Sequence, residues 1–469
     1  MSSPSVARRT LAVAALGTFL SLMVFTAPLA TINATATSLD AGVAGRTWVL
    51  SSMSVGLASA LLVAGAVADD VGRRRTFVVG MAVLAAGSLL AAVSPYVLLF
   101  VLARVVEGVG AAAVIAASLG IIAHAFAPGP ERAAASGVWG ASLGAGIAAG
   151  PLLTAGLDRY ADWRLAYVVF AAFAVVLGVA ARLVEESRSV RRGVDLPGAV
   201  LLASGISAFL AALVEGRQGW GSPEVVLLLV LAAALLAGFV VVQGRSASAM
   251  LDLELLRHPP FAAATGAAFA TGAGSIALFS FLPGFVGIAL GMSASGAAWL
   301  LLAWSGTSVV SALLARRIPP RVPGRVQLAI GLAGVGIGQL ALAGVDAGST
   351  WRHFLPGLLV AGVASGVLNA ALGREAVASV PADRAGLGSG ANNTARYIGS
   401  AVGVTVVAVI AARPGQGSPM EDLVHGWNIA AIVTGLVSLV GAAAVLACRT
   451  RRPMRSADET ESAAAVRAD

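Results

Sequence analysis

The feature that most limits this chain is its succession of apolar runs, each about 20 residues long, separated by short polar breaks. A bilayer offers no water to an exposed peptide group, so a run of that length must close its hydrogen bonds internally, as a helix. Fourteen spans are expected: Leu11–Asn33, Thr47–Ala68, Phe77–Ala92, Val97–Ala123, Ala133–Ala155, Ala166–Ala181, Gly198–Val214, Val225–Val242, Ala262–Val286, Ala297–Leu314, Val326–Leu342, Phe354–Ala371, Leu387–Ala411 and Trp427–Ala447. The expected fold is all-α and polytopic, and an even number of spans places both termini on one side. Charged residues make up 12% of the chain, against about 25% in a soluble domain. No break is long enough to fold by itself, and the tail after Arg449 reads as a short disordered segment.

Charge selects the side. The formal charge is +8 and all 31 basic residues are arginine, because the chain has no lysine. With both ends cytoplasmic, 23 arginines fall in the termini and cytoplasmic breaks, among them Arg73 to Arg75, Arg191, Arg192, Arg316 and Arg317. Six fall outside (Arg46, Arg159, Arg164, Arg217, Arg352, Arg413) and two within spans (Arg104, Arg396). The positive-inside rule therefore places both termini in the cytoplasm of a cell carrying the protein in its cytoplasmic membrane. The basic residues orient the chain and do not form a nucleic-acid surface. Without lysine there is no Walker A loop and no Schiff base. Cys448 stands alone, and His124, His258, His353 and His425 lie in separate breaks, so neither a disulfide nor a metal site is expected. No nucleophile and base stand at catalytic spacing, so no enzyme is expected and no cofactor is implied. Arg8, Arg9 and the Ala34-Thr35-Ala36 triplet imitate a signal peptide, but the apolar run between them is too long for one and reads as a retained first span.

An internal repeat divides the chain. "PERAAASGVWGASLGAGIAAG" enters span five and "PADRAGLGSGANNTARYIGSAVG" enters span thirteen, with Ser136-Gly137, Gly146 and Gly150 recurring 253 residues later as Ser389-Gly390, Gly399 and Gly403. Glu131-Arg132 returns as Asp383-Arg384 with a one-residue slip, and "DDVGRRR" has a degraded echo in "ARRIPPRVPGR". Spans one to six thus match nine to fourteen. The organisation expected is a six-helix bundle over 1–190, two linking spans over 191–258, a second six-helix bundle over 259–448, and a tail over 449–469. Parallel six-helix repeats are the construction of a rocking transporter whose site lies between them.

Four local patterns resemble the major facilitator superfamily, in particular its fourteen-helix drug:proton antiporters of the EmrB/QacA type, and the similarity runs along nearly the whole chain. "GAVADDVGRRR" resembles the loop after helix two, with Gly65, Asp69, Gly72 and Arg73 as a gating loop and Asp70 where a basic residue is common. "RVVEGVGAA" matches at Arg104, Gly108 and Gly110, with Glu107 in place of the usual glutamine. "GAGIAAGP" resembles the antiporter motif of helix five through Gly146, Gly150 and Pro151, although Thr154-Ala155 replaces the following glycine pair. "NNTARYIGSAVG" resembles the second-half signature through Asn393, Arg396 and Gly399. One departure stands out. Aligning the family's helix-one asparagine with Asn33 puts Pro28 where an aspartate is frequent, and span one holds no acidic residue.

The resemblance implies proton-driven export of small amphipathic, hydrophobic or cationic compounds by alternating access, from a functional monomer whose partners are the substrate, protons and the bilayer. Export of a native metabolite, import or uniport by the same fold, and a membrane sensor without transport remain alternatives. Charge within a span costs about 2.5–3.5 kcal/mol and usually faces a partner or a cavity. Arg104 and Glu107, three residues apart, share a helix face directed at the expected cavity. Either Glu107 carries the proton in place of the missing aspartate, with Arg104 tuning it, or the two form a permanent structural pair. Arg396 is expected to hold carbonyl groups, pair with Glu375 or meet an anionic substrate. Asn33, Ser52, Trp139, Trp304, Gln339, Asn369 and Asn392 are the remaining candidate cavity residues, each also readable as an interhelical contact.

Overall fold

The computed structural model describes residues 4–188, 195–217, 219–245, 255, 257–319, 321–346, 348–411 and 418–448. Among them all regular structure is helical. The first half contains α1 (Pro4–Thr26), α2 (Pro28–Ser38), α3 (Val43–Val71), α4 (Arg73–Ala92), α5 (Val97–Ala125), α6 (Pro130–Tyr160) and α7 (Trp163–Ala180). A hairpin follows, α8 (Leu196–Glu215) and α9 (Pro223–Arg245). Then come α10 (Pro259–Ala270), α11 (Ala277–Ala289), α12 (Ala294–Leu314), α13 (Gly324–Leu340), α14 (Trp351–Ala378), α15 (Ala385–Ala411) and α16 (Pro419–Ala447). Each expected span falls on one of these helices or on a consecutive pair. Thirteen described helical stretches are long and apolar enough to cross a membrane. The remaining one, α13, has 17 residues and rises about 26 Å, at the short end of the spanning range. Arg191, Arg192, Arg413 and the tail beyond Cys448 lie outside the described residues.

Two spans expected to be continuous are broken. Between α1 and α2 the chain turns at Ala27, because Pro28 has no N–H to donate and its ring crowds the carbonyl of Val24. In the second half α10 passes into α11 through a widened π turn, Thr271–Ile276. Both breaks are backed by the repeated glycines. A Cβ at Gly146 or Gly150 of α6 would collide with the carbonyls of Phe19 and Met23 in α1. A Cβ at Gly399 or Gly403 of α15 would collide with those of Phe269 and Ala273 in the matching span. The sequence repeat is therefore a packing repeat: a glycine ladder lets the backbone of one helix rest on that of its neighbour.

The halves meet along α3 and α15 and along α6 with α12 and α14. The hairpin packs on itself, and α8 lies against both α3 and α15. α9 is the most apolar span, with a mean hydropathy of 3.2 over its central window, and it is mostly exposed, as a lipid-facing helix should be. The start of α1 shares a recess with the ends of α5 and α12 and the start of α6, while Cys448 packs with the helix ends around Ala263. Both ends of the described chain thus lie on one face, called here the terminus-bearing face.

The ladder sets a stability expectation. Gly150→Val forces a methyl-bearing carbon into the α1 backbone and should lower the melting temperature in detergent by an amount corresponding to about 1–3 kcal/mol. Gly156→Val, on the exposed side of the same helix with nothing within 4 Å, should leave it unchanged. Equal melting temperatures for the two variants would remove the ladder as a stabilising contact.

Candidate functional site

Between the halves lies a cavity of about 260 Å³. The first half contributes Leu22, Phe25 and Thr26 of α1, Ser51 and Ser54 of α3, and Ile147 of α6. The second contributes Phe279 and Phe281 of α11, Trp304 of α12, and Arg396, Tyr397 and Ser400 of α15. The hairpin adds Leu210, Val214 and Arg217. Paired aromatic rings stand among the aliphatic wall residues: Phe25 meets Tyr397 edge to face at 5.7 Å, and Phe279 lies 4.4 Å from Trp304. The Trp304 indole donates to Ser365 Oγ at 3.1 Å, which fixes its ring. Arg396 Nη2 donates to Asn369 Oδ1 at 3.0 Å and is otherwise directed at the cavity. Arg217, in the turn after α8, reaches Thr405 Oγ1 and Ser51 Oγ, both at 3.4 Å. Burial pushes its guanidinium down to about 10, still protonated at neutral pH. A larger recess of about 910 Å³ on the terminus-bearing face is lined by helix ends, mostly of the first half, and includes Arg8, Arg132 and Arg316.

Arg104 and Glu107 form a closed pair, both wholly buried. Arg104 Nη1 donates to Glu107 Oε2 at 2.7 Å and to the Val24 carbonyl at 2.9 Å, and Nη2 reaches the Phe25 carbonyl at 3.2 Å. Ser88 Oγ donates to Glu107 Oε1 at 2.7 Å. Pro28 cannot donate to the Val24 carbonyl, and Arg104 takes that carbonyl together with its neighbour at Phe25, while Thr154 Oγ1 takes that of Ala27 at 3.0 Å. This is how a membrane helix tolerates a proline: its neighbours supply the lost donors. The pair therefore faces the break in helix one, behind the cavity wall, and not the cavity as the shared helix face suggests.

The residues expected as a gating loop join the two halves at the terminus-bearing face. Asp69 Oδ1 accepts Arg73 Nε at 3.0 Å, Nη2 at 2.8 Å and the Gly386 N–H at 3.0 Å. Asp69 Oδ2 accepts the Leu387 N–H at 2.8 Å. The carboxylate thus caps the first turn of α15 in the other half, where free N–H groups and the helix dipole favour an anion. Arg73 Nη1 also holds the Gly120 carbonyl at 3.2 Å. Gly72, at φ 132°, makes a turn closed to other L-residues, and Gly65 and Gly386 let the two backbones touch.

Of the residues singled out in the sequence, Trp304 and Arg396 line the main cavity, and Asn369 joins them at a narrow extension beneath it. The others lie elsewhere. Asn33 accepts from Arg46 at the exposed rim, and Ser52 is enclosed in helix packing. Trp139 donates to Ser118, Gln339 accepts from Ser438, and Asn392 donates to the Ala264 carbonyl. Glu375 pairs with Arg374 and not with Arg396. Gly146, Gly150 and Pro151 stand behind helix one. Sequence reasoning missed Arg217, Tyr397, Phe25 and Phe279. For Arg217 a signal was present: it is one of few arginines on the side where arginine is rare.

With this geometry, the comparison with known proteins is direct. The Major Facilitator Superfamily model matches residues 14–404 and 265–468, and the chain belongs to that family of transporters, which are not enzymes. It is 31% identical over 436 residues to the puromycin resistance protein pur8 of Streptomyces alboniger, covering 89% of this chain and 86% of that one. It is 31% identical to the multidrug resistance protein Stp of Mycobacterium tuberculosis, covering 80% of this chain and 70% of that protein. It is 33% identical to the probable actinorhodin transporter of Streptomyces coelicolor, covering 77% and 65%. Among solved structures, the proton:xylose symporter XylE shares the fold with a TM-score of 0.69 at 15% identity, over 94% of this chain and 95% of that one. The protein is thus a multi-pass transporter of the cell membrane.

The Asp69 latch yields a measurable expectation. Charge-assisted hydrogen bonds contribute about 1.5–3 kcal/mol each, and about 1.4 kcal/mol is tenfold in an equilibrium. In a Cys448→Ser, Ser389→Cys chain in detergent, adding Asp69→Ala should raise the maleimide labelling rate of the α15 cysteine at least about tenfold. An unchanged rate would mean that the seam is held by packing alone.

Proposed function

We propose that the chain is a proton-coupled exporter of small amphipathic organic compounds, working by alternating access. The observation that carries this reading is the cavity between the halves, shut toward the terminus-bearing face by the Asp69 latch, in a chain whose relatives are named for drug resistance and antibiotic export. The arginine distribution favours a cytoplasmic position for that face and fourteen crossings in all, six over 1–190, two over 191–258 and six over 259–448, as in the EmrB/QacA branch. The working unit is a monomer, since cavity and latch are built within one chain.

Proton coupling is assigned to Glu107. It is the one wholly buried carboxylate in the middle of a span among the described residues. Its partner Arg104 also holds the Val24 and Phe25 carbonyls, and Phe25 lines the cavity. Protonation would leave Arg104 without its counter-charge and loosen its grip on the break in helix one, so proton and cavity shape are linked through one guanidinium. The drive suffices: a charge crossing about 100 mV yields about 2.3 kcal/mol, a substrate gradient of roughly fortyfold to fiftyfold per proton exchanged.

Inside-out vesicles energised to an acidic lumen provide the test. Addition of an exported compound should raise lumenal pH in vesicles carrying the protein and not in empty ones, and Glu107→Gln should reduce that response at least tenfold while the chain remains monodisperse. Full proton exchange in the variant would move the proton site elsewhere. Absence of exchange with every compound in a panel of cations, neutral molecules and anions would overturn proton-coupled export.

A further inference from the structure

The central cavity has an unbalanced charge. Two guanidinium groups line it, and among the described residues no aspartate or glutamate does. Arg396, 5% exposed, has a single hydrogen bond, to the neutral amide of Asn369, and no carboxylate within ion-pair distance among the described residues. Arg217 has two long contacts to hydroxyl groups and likewise no ion pair. The nearby acids are committed elsewhere. Glu107 is held by Arg104 and Ser88, and Glu215 accepts the Trp48 indole N–H at 2.6 Å. A cation entering this space would meet two positive charges and no counter-charge.

The cost of that arrangement points to its use. A charge kept away from water without a partner is expensive, and such residues persist in membrane proteins where a ligand completes them. Arginine presents a planar fork of donors that matches a carboxylate, sulfonate or phenolate. The remaining wall is mostly aliphatic, but five aromatic rings stand in it, from Phe25, Phe279, Phe281, Trp304 and Tyr397, and the Tyr397 hydroxyl has no hydrogen-bond partner among the described residues. At about 260 Å³ the space is slightly below the usual range of drug-sized sites, about 300–1,000 Å³, and suits a small ligand.

We propose that the transported compound is an aromatic organic anion, its acidic group held by Arg396 in the depth of the cavity and Arg217 at its mouth. Arg217 comes from the hairpin that joins the halves, so the inserted helices supply part of the binding site. This rests on the exporter reading and narrows its substrate to one charge class.

The test uses three probes on one scaffold: 2-naphthoate, 2-naphthamide and 2-naphthylmethylammonium. Binding to the purified full chain is followed by tryptophan fluorescence, and exchange by the vesicle assay. The naphthoate should bind at least about tenfold more tightly than the ammonium compound. Arg396→Gln and Arg217→Gln should each weaken naphthoate about tenfold without weakening the ammonium compound. Arg396→Lys, which keeps the charge, should retain the preference and also exposes any variant that merely misfolds. Equal or tighter binding of the ammonium compound, or a preference unchanged in both glutamine variants, overturns the inference. Proton exchange driven by cationic compounds but not by anions would refute it and leave the exporter intact; no exchange with any charge class refutes the exporter reading, whichever probe binds.

Discussion

Contact between helix backbones is the constraint on which this structure depends. In water, helices associate because apolar side chains escape the solvent; in a bilayer that gain is absent, since lipid tails are as apolar as leucine. Stability has to come from close van der Waals contact and interhelical hydrogen bonds, and both need helices that approach nearer than large side chains allow. The chain meets this with glycine at each seam that matters. Gly146 and Gly150 seat α6 on α1, Gly399 and Gly403 seat α15 on the matching span, and Gly65, Gly386 and Gly390 bring α3 and α15 together across the halves. The last seam places the Asp69 carboxylate against the first peptide groups of α15. A latch made of backbone N–H groups needs the backbone that close.

The second constraint is the accounting of charge in a medium that solvates none. The first half pairs its charge, with the Arg104 Nε alone of that guanidinium left without a hydrogen-bond partner. Pro28 leaves the Val24 carbonyl without its helical donor, Arg104 takes it along with that of Phe25, Glu107 neutralises Arg104, and Ser88 fills the remaining carboxylate oxygen. The second half breaks its equivalent helix at the π turn Thr271–Ile276, ahead of Pro283, and among the described residues no arginine side chain holds a carbonyl of that helix. Arg396 is therefore free of the structural duty that Arg104 performs. The two intramembrane arginines look alike in sequence, but one braces a helix and the other faces the space between the halves.

Much of the fold was legible because its signal is one-dimensional. A run of apolar residues is a span whatever surrounds it, and glycine spacing survives as a packing ladder because backbone contact depends on position along the helix. The cavity was less legible, for a reason that also follows from the solvent. A helix apolar all around has no polar stripe to mark its inner face, so one residue of register, about 100° around the axis, decides what lines the cavity. Ser51 lines it and Ser52 is packed among helices; Arg396 and Tyr397 line it while Asn392, one turn earlier, holds the Ala264 carbonyl. Polar residues chosen by type alone were mostly interhelical hydrogen bonds, and the aromatic walls gave no signal because aromatic residues also face lipid.

The inserted hairpin joins these lines. Its outer helix, α9, faces lipid, whereas α8 touches α3 and α15, the two helices that close the opposite end of the molecule through the Asp69 latch. Near its end α8 meets both: Glu215 accepts from Trp48 of α3, the Leu213 carbonyl accepts from Thr405 of α15, and Arg217 lies against Ser51 and Thr405. A movement that separates α3 from α15 at the terminus-bearing face has to change these contacts as well, because α3 and α15 are single continuous helices of 29 and 27 residues. At 3.3–3.4 Å the contacts to α15 are weak, while the Trp48–Glu215 bond at 2.6 Å is strong. In the alternating-access cycle proposed above, the hairpin should therefore stay with α3 and slip against α15. Arg217 would then move relative to Arg396, so the distance between the two guanidinium groups changes with the state of the latch.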